Sequence, residues 1–150
     1  MKTLIVFLGL LLCCTAFLFY QNDMGRYMRA QTALKALAEE CAAGAALYFD
    51  EEAFAEGRMI FNEDEARACV AYMLASSGVP APDVRAAGPV SAAVSFYDDR
   101  GAYGMNAGAY GVIRHPSVVV KLRVATEDIF RLPFLTVTAL EREAMYELPN

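Results

Sequence analysis

The side chains in this 150-residue chain whose types could do chemistry are few: four cysteines, one histidine and three short acidic clusters. Cys41 and Cys69 have no Cys-x-x-Cys partner and no histidine near them in the chain, so neither has the ligand spacing of a zinc site. His115 directly precedes Pro116 at the start of an apolar run, with no serine or cysteine motif for it to serve; it is read as a structural or solvent-facing residue. The acidic clusters are Asp50-Glu51-Glu52, Glu63-Asp64-Glu65 and Asp98-Asp99. They fall where helix starts and turns favour carboxylates and are read as solvated ends. None has the alternating ligand spacing of a calcium loop, and no glycine-lysine phosphate loop is present. No residue set meets the roles a catalytic site needs, so the expectation is a non-enzyme with no cofactor, no metal and no small-molecule substrate.

Two constellations keep other roles open. Cys41 and Cys69 each fall on an apolar helical stripe, and an antiparallel pairing of those stripes would bring the thiols together. The readings are a disulfide if the domain is exported, two buried free thiols, or metal and redox chemistry. Over residues 98–111, Gly-Ala-Tyr-Gly occurs twice, at 101–104 and 108–111, in a connection unusually long for a small domain. Tyr103 and Tyr110 are the rigid, amphipathic kind of side chain that contacts partners. The competing reading is a flexible hairpin tip.

The elements that position these residues follow from periodicity. Residues 3–20 form an uncharged 18-residue stretch, long enough as a helix to span about 27 Å. No small-x-small cleavage site follows it, and neither Cys13 nor Cys14 follows the small residue expected before a lipidated cysteine, so a retained membrane anchor is favoured. Beyond it Tyr27, Ala30, Leu34, Leu37, Ala38, Cys41, Ala45 and Tyr48 recur at three- and four-residue steps, predicting one helix out to about Phe49, with Gly25 and Gly44 as weak spots. Asn62, followed three residues later by Glu65, predicts the cap of a second helix. Its stripe is Ala66, Cys69, Val70 and Met73, and it stops at Ser76-Ser77-Gly78.

After Pro82 the period changes. Residues 89–97 and 117–125 are strand-like, and in the second run Val118, Val120, Leu122 and Val124 share one face while Lys121 and Arg123 share the other. In the run 135–146, Thr136-Val-Thr-Ala-Leu reads as strand and Glu141-Arg-Glu-Ala-Met as helix; a strand from near Thr136 is expected. The predicted architecture is α+β: a transmembrane helix continuing into a long amphipathic helix, a second short helix, and a small antiparallel sheet of three to four strands. Residues 1–22 would be the anchor and 23–150 the domain.

Charge narrows the partners. All 18 acidic residues but only 12 of the 13 basic ones lie beyond Tyr20, leaving that part at −6. It has no basic footprint for nucleic acid. The positive-inside count sets Lys2 against Arg26, Arg29 and Lys35 and by itself favours the domain inside.

The apolar run followed by Asp23-Met-Gly-Arg-Tyr-Met-Arg-Ala-Gln31 and the Ala-rich Leu34-Lys-Ala-Leu-Ala-Glu-Glu-Cys-Ala-Ala-Gly-Ala-Ala46 resembles the TadE-like minor pseudopilins of the tight-adherence (Tad, type IVb) pilus. Val118-Val-Val-Lys-Leu-Arg-Val124 and Thr136-Val-Thr-Ala139 are similar to the later strands of that family. The resemblance implies a pilin-like fold, a bacterial single-pass membrane protein with its domain exported, and a structural role in assembling a type IVb pilus or related secretion apparatus. Its partners would be other pilin-like or assembly subunits, met through the N-terminal helix. Two departures stand out: residues 3–20 contain no acid where pilins carry a glutamate, and Lys2 is the only basic residue ahead of them. Whether the N-terminus is cleaved stays open. On this reading Tyr27, Leu34, Leu37, Ala38, Ala45 and Tyr48 form an assembly stripe only partly covered by the chain's own sheet. The alternative is a membrane-tethered binding module using the loop 98–111.

Overall fold

A computed structural model describes residues 2–78, 84–100, 110–132 and 134–148. The α+β layout is as expected. Helix α1 (Lys2–Ala46) is continuous for 45 residues, followed by a short α2 (Glu51–Ala55), α3 (Glu63–Ser76) and strands β1 (Ser91–Tyr97), β2 (Ser117–Ala125) and β3 (Ala139–Glu147). The strands form one antiparallel sheet in the order β1-β2-β3. The C-terminal half of α1 lies across β2 and β3, and α3 packs against α1 and the β1 edge.

The alternation in β2 sorts its side chains as the sequence predicts. Val118, Val120, Leu122 and Val124 are buried under α1, while Lys121 and Arg123 face solvent. On that outer face Lys121 pairs with Glu141 of β3 at 2.7 Å. The helix-like segment 141–145 is strand: pairing Arg123 with Glu141, Lys121 with Glu143 and Val120 with Ala144 completes the ladder, and tertiary pairing outweighs local helix propensity. The ladder begins at Ala139. Residues 137 and 138 are held instead by the hairpin connection, through Ile129 N–H to the Val137 carbonyl at 3.2 Å and Thr126 N–H to the Thr138 carbonyl at 2.9 Å.

Helix α1 stops at Ala46, short of the expected Phe49, because the chain turns into a ribbon. There Asp50 N–H donates to the Ile60 carbonyl (2.8 Å) and Asn62 N–H to the Tyr48 carbonyl (2.9 Å). The ribbon contains α2, which periodicity did not reveal; Asp50 caps it, its Oδ1 accepting from Glu52 N–H at 2.9 Å and Ala53 N–H at 3.1 Å. Asn62 occupies the cap position of α3 but its side chain makes no capping bond. Its N–H is already taken by Tyr48, so the reciprocal bond from Glu65 has no donor to serve.

Candidate functional site

The expected assembly stripe is core, which is a correction. Leu34, Ala38 and Ala45 are fully buried and Leu37 nearly so, in one cluster with Ala30, Ala42, Val120, Leu122 and Leu140. Only its flanks reach solvent: Tyr27 is half-buried and Tyr48 exposed. The stripe is covered because β2 and β3 present an equally apolar face to it, and burying both within one chain is the shortest route out of water. The exposed apolar surface of α1 is the other half: residues 3–19 are all exposed, and Gly9 faces open space.

Cys41 and Cys69 meet on the facing stripes of α1 and α3, as the antiparallel pairing requires, and both are free thiols; the disulfide reading is not realised in the structure. Cys41 is fully buried. Burial first, then the neighbouring Cys69 and Glu40, push its thiol up to about 11. Cys69 is half-buried beside Met73 Sδ at 3.9 Å, and its proximity raises the Tyr48 phenol. The weak spot Gly44 is where the helices approach: a Cβ there would meet Met73 Sδ at 3.1 Å and Cys69 Sγ at 3.7 Å. Among the described residues no group of three or more His, Cys, Asp or Glu side chains could hold a metal ion.

The most organised polar cluster lies where α1 leaves its apolar run, and its central residue was not singled out by the sequence. Asp23 is fully buried. Its Oδ2 accepts the Arg131 N–H at 3.0 Å, and its Oδ1 lies 3.6 Å from Arg26 Nη1 and 3.8 Å from Arg131 Nε. Arg26 also donates to the Ile129 carbonyl at 3.4 Å. Around the carboxylate the Phe130 ring sits 6.3 Å from Tyr20 and 6.0 Å from Tyr27. The β2–β3 connection is thereby fixed to the base of the helix. Asp128 shapes it, its Oδ1 accepting from Phe130 N–H at 3.2 Å and Val137 N–H at 3.1 Å. The one available sequence signal was that Asp23 is the first acid after the apolar run; nothing in the spacing ties it to Arg131.

Asp98 corrects a second expectation, since it is a clamp and not a solvated end. Only 4% exposed, its Oδ2 accepts from Phe61 N–H at 3.1 Å and from Arg100 Nε and Nη2 at 2.9 and 2.7 Å. Burial raises its pKa, but the Arg100 and Phe61 hydrogen bonds together outweigh that and hold the carboxyl below its ordinary value. Next to it Asp99 Oδ2 accepts Met59 N–H at 2.6 Å, so the end of β1 anchors the segment leading into α3. An open cleft of about 730 Å³ lies beside the clamp, bordered by Asp50, Glu51, Glu63, Asp64, Glu65 and Arg100.

Of the contact loop, Tyr103 lies outside the described residues. Tyr110 is at its edge, partly exposed, with its hydroxyl donating to the Glu143 carbonyl at 2.9 Å. His115 Nε2 stands 3.9 Å from Glu147 Oε1 at the end of the sheet. The structure brings together the two thiols and the stripe residues; it keeps His115 and Tyr110 apart from them, on the side of the sheet facing Met145.

Comparisons of the chain with protein-family models, with curated proteins and with solved structures find no match.

Proposed function

We propose that this chain is a membrane-anchored, pilin-like structural subunit, with its domain exported, that takes part in assembling a type IVb (Tad) pilus or a related secretion apparatus. The observation that carries the reading is the division of α1. One unbroken helix has an outer half that is uncharged and wholly exposed over residues 3–19 and an inner half locked into a small sheet domain. The apolar half is long and apolar enough to cross a bilayer. A domain that has already buried its own stripe has one large apolar helical surface left to offer other subunits. Within a bilayer, helices associate through close packing of small residues, and Gly9 lies in this segment. Partner contact therefore moves from Leu34 and Leu37 to residues 3–20.

The test replaces the exposed residues 3–19 of the full chain by a polyleucine helix of equal length, which keeps an anchor and Tyr20 and removes the specific surface. Loss of co-isolation with other pilin-like subunits, with the chain still in the membrane fraction, is expected. Undiminished assembly would overturn helix-mediated packing. N-terminal sequencing of membrane and sheared material from the unaltered chain separates the two kinds of subunit. Met1 in membranes alone marks a retained assembly scaffold, and a shortened chain in the sheared fraction a filament component.

A further inference from the structure

We infer that the β2–β3 connection is a second membrane contact, held at its flanks, that sets Phe134 and Leu132 into the interfacial layer of the bilayer beside the point where α1 emerges. The inference rests on the anchored reading above and adds a surface that the anchor alone does not require.

Three observations converge on it. The first is position. Tyr20 closes the uncharged run, and it is the most N-terminal α1 residue packed against the domain core among the described residues. What packs on it is Phe130 of this connection. Among the described residues, the connection thus lies at the membrane-facing end of the domain whenever residues 3–20 span the bilayer.

The second is composition. Phe134 is 79% exposed, and Leu132 in the same turn is half-buried, where Leu135 N–H closes on the Leu132 carbonyl at 3.0 Å. Arg131 beside them is 61% exposed along its side chain. An exposed aromatic with a neighbouring cation at the level of a tyrosine is the pattern favoured at the headgroup boundary, where rings sit among glycerol groups and guanidinium groups reach phosphates.

The third is rigidity. A connection free at both ends would lose freedom on inserting, whereas the two flanks of this one are already held, by Asp23 on Arg131 N–H, by Asp128 on Phe130 and Val137 N–H, and by Phe130 against Tyr20 and Tyr27. The burial of Asp23 has a purpose here. A carboxylate three residues past the apolar run would face anionic headgroups if it were open; it is fully buried, and the connection supplies the N–H that its Oδ2 accepts.

The chain contains no tryptophan, so single substitutions in the full-length protein report one site each. Phe134→Trp, Leu11→Trp and Tyr72→Trp would be reconstituted separately into vesicles of phosphatidylethanolamine with a minority of phosphatidylglycerol, with and without bromine on the acyl chains. Tyr72 is an exposed residue of α3. It neighbours Met73, which packs at Gly44, about 36 Å along α1 from Tyr20. Expected are quenching of Leu11→Trp by bromine near the chain ends, quenching and blue-shifted emission of Phe134→Trp with bromine near the carbonyl end, and no quenching of Tyr72→Trp. An unquenched Phe134→Trp beside a quenched Leu11→Trp overturns the loop contact and leaves the anchor standing. Blue-shifted but unquenched emission from Phe134→Trp means that a second protein copy covers the loop, and also overturns it. An unquenched Leu11→Trp removes the anchored reading and the loop contact together.

Discussion

The carboxylate of Asp23, fully buried on α1, accepts the backbone N–H of Arg131 at 3.0 Å across 108 positions of sequence. This bond ties the last strand connection to the helix at the level where its apolar run ends. It also accounts for a charge in a place that periodicity would assign to a solvated surface. A buried carboxylate needs compensation, and here one backbone N–H hydrogen-bonds Oδ2 while the Arg26 and Arg131 guanidinium groups stand at ion-pair distance from Oδ1, which has no hydrogen-bond partner among the described residues.

Asp23→Ala removes the acceptor and leaves the Arg131 N–H without its partner. A loss of about 1–3 kcal/mol in local stability is expected, read as faster amide hydrogen exchange at Phe130 and Arg131 with exchange in β2 unchanged. Unaltered exchange at Arg131 would show that the bond does not hold the connection.

Leu34 is buried in the core rather than offered to partners. Leu34→Ala should destabilise the domain by about 2–5 kcal/mol, and Leu34→Glu should unfold it while residues 3–20 still insert. Limited proteolysis of membrane-held protein separates the outcomes. A protease-resistant Leu34→Glu domain that fails only in assembly would restore the stripe as an interface.

The Asp98 clamp gives a pH dependence with a definite sign. Its folded-state pKa lies below the ordinary 3.8, so its contribution is fully present above that value and is lost as the pH falls through the lower, folded value. Unfolding of the wild-type chain between pH 5 and pH 2 should therefore steepen below about pH 4. Asp98→Asn should flatten that part of the profile at a cost of about 2 kcal/mol at neutral pH. Parallel profiles for the two proteins would rule the clamp out as the source.

Thiol reactivity separates the cysteines. With its thiol pushed up to about 11 and no exposed surface, Cys41 should resist alkylation at pH 8 until the domain unfolds. Half-buried Cys69 should react earlier. Mass spectrometry of the trapped protein reads both, and a Cys41–Cys69 disulfide in the isolated chain would contradict the free-thiol state.

At the helix crossing, Gly44→Ala places a Cβ 3.1 Å from Met73 Sδ, the far part of a flexible side chain. Relief of the helical glycine, about 1 kcal/mol, offsets that crowding, and thermal unfolding should move little. Gly44→Leu has no such outlet and should cost several times more, about 1–3 kcal/mol. Equal behaviour of the two variants would mean that α1 and α3 are not closely packed there.

Much of this molecule was legible in one dimension because its signals are local. The uncharged run, the stop of α3 at Ser76, and the alternation of Val118, Val120, Leu122 and Val124 against Lys121 and Arg123 follow from neighbours in sequence and from helical and strand periods. Periodicity also marked Leu34, Leu37, Ala38 and Ala45 as an apolar face, but a face carries no record of what covers it. The tertiary structure decided that β2 and β3 cover this one, that Glu141-Arg-Glu-Ala-Met145 pairs as strand, and that Asp23 and Asp98 are buried acceptors. Each of those outcomes depends on a partner far along the chain: Val120 and Leu140 for Leu34, Arg123 for Glu141, Arg131 for Asp23, and Phe61 for Asp98. The energy of such contacts exceeds local propensity, and no spacing rule along the chain encodes the pairing.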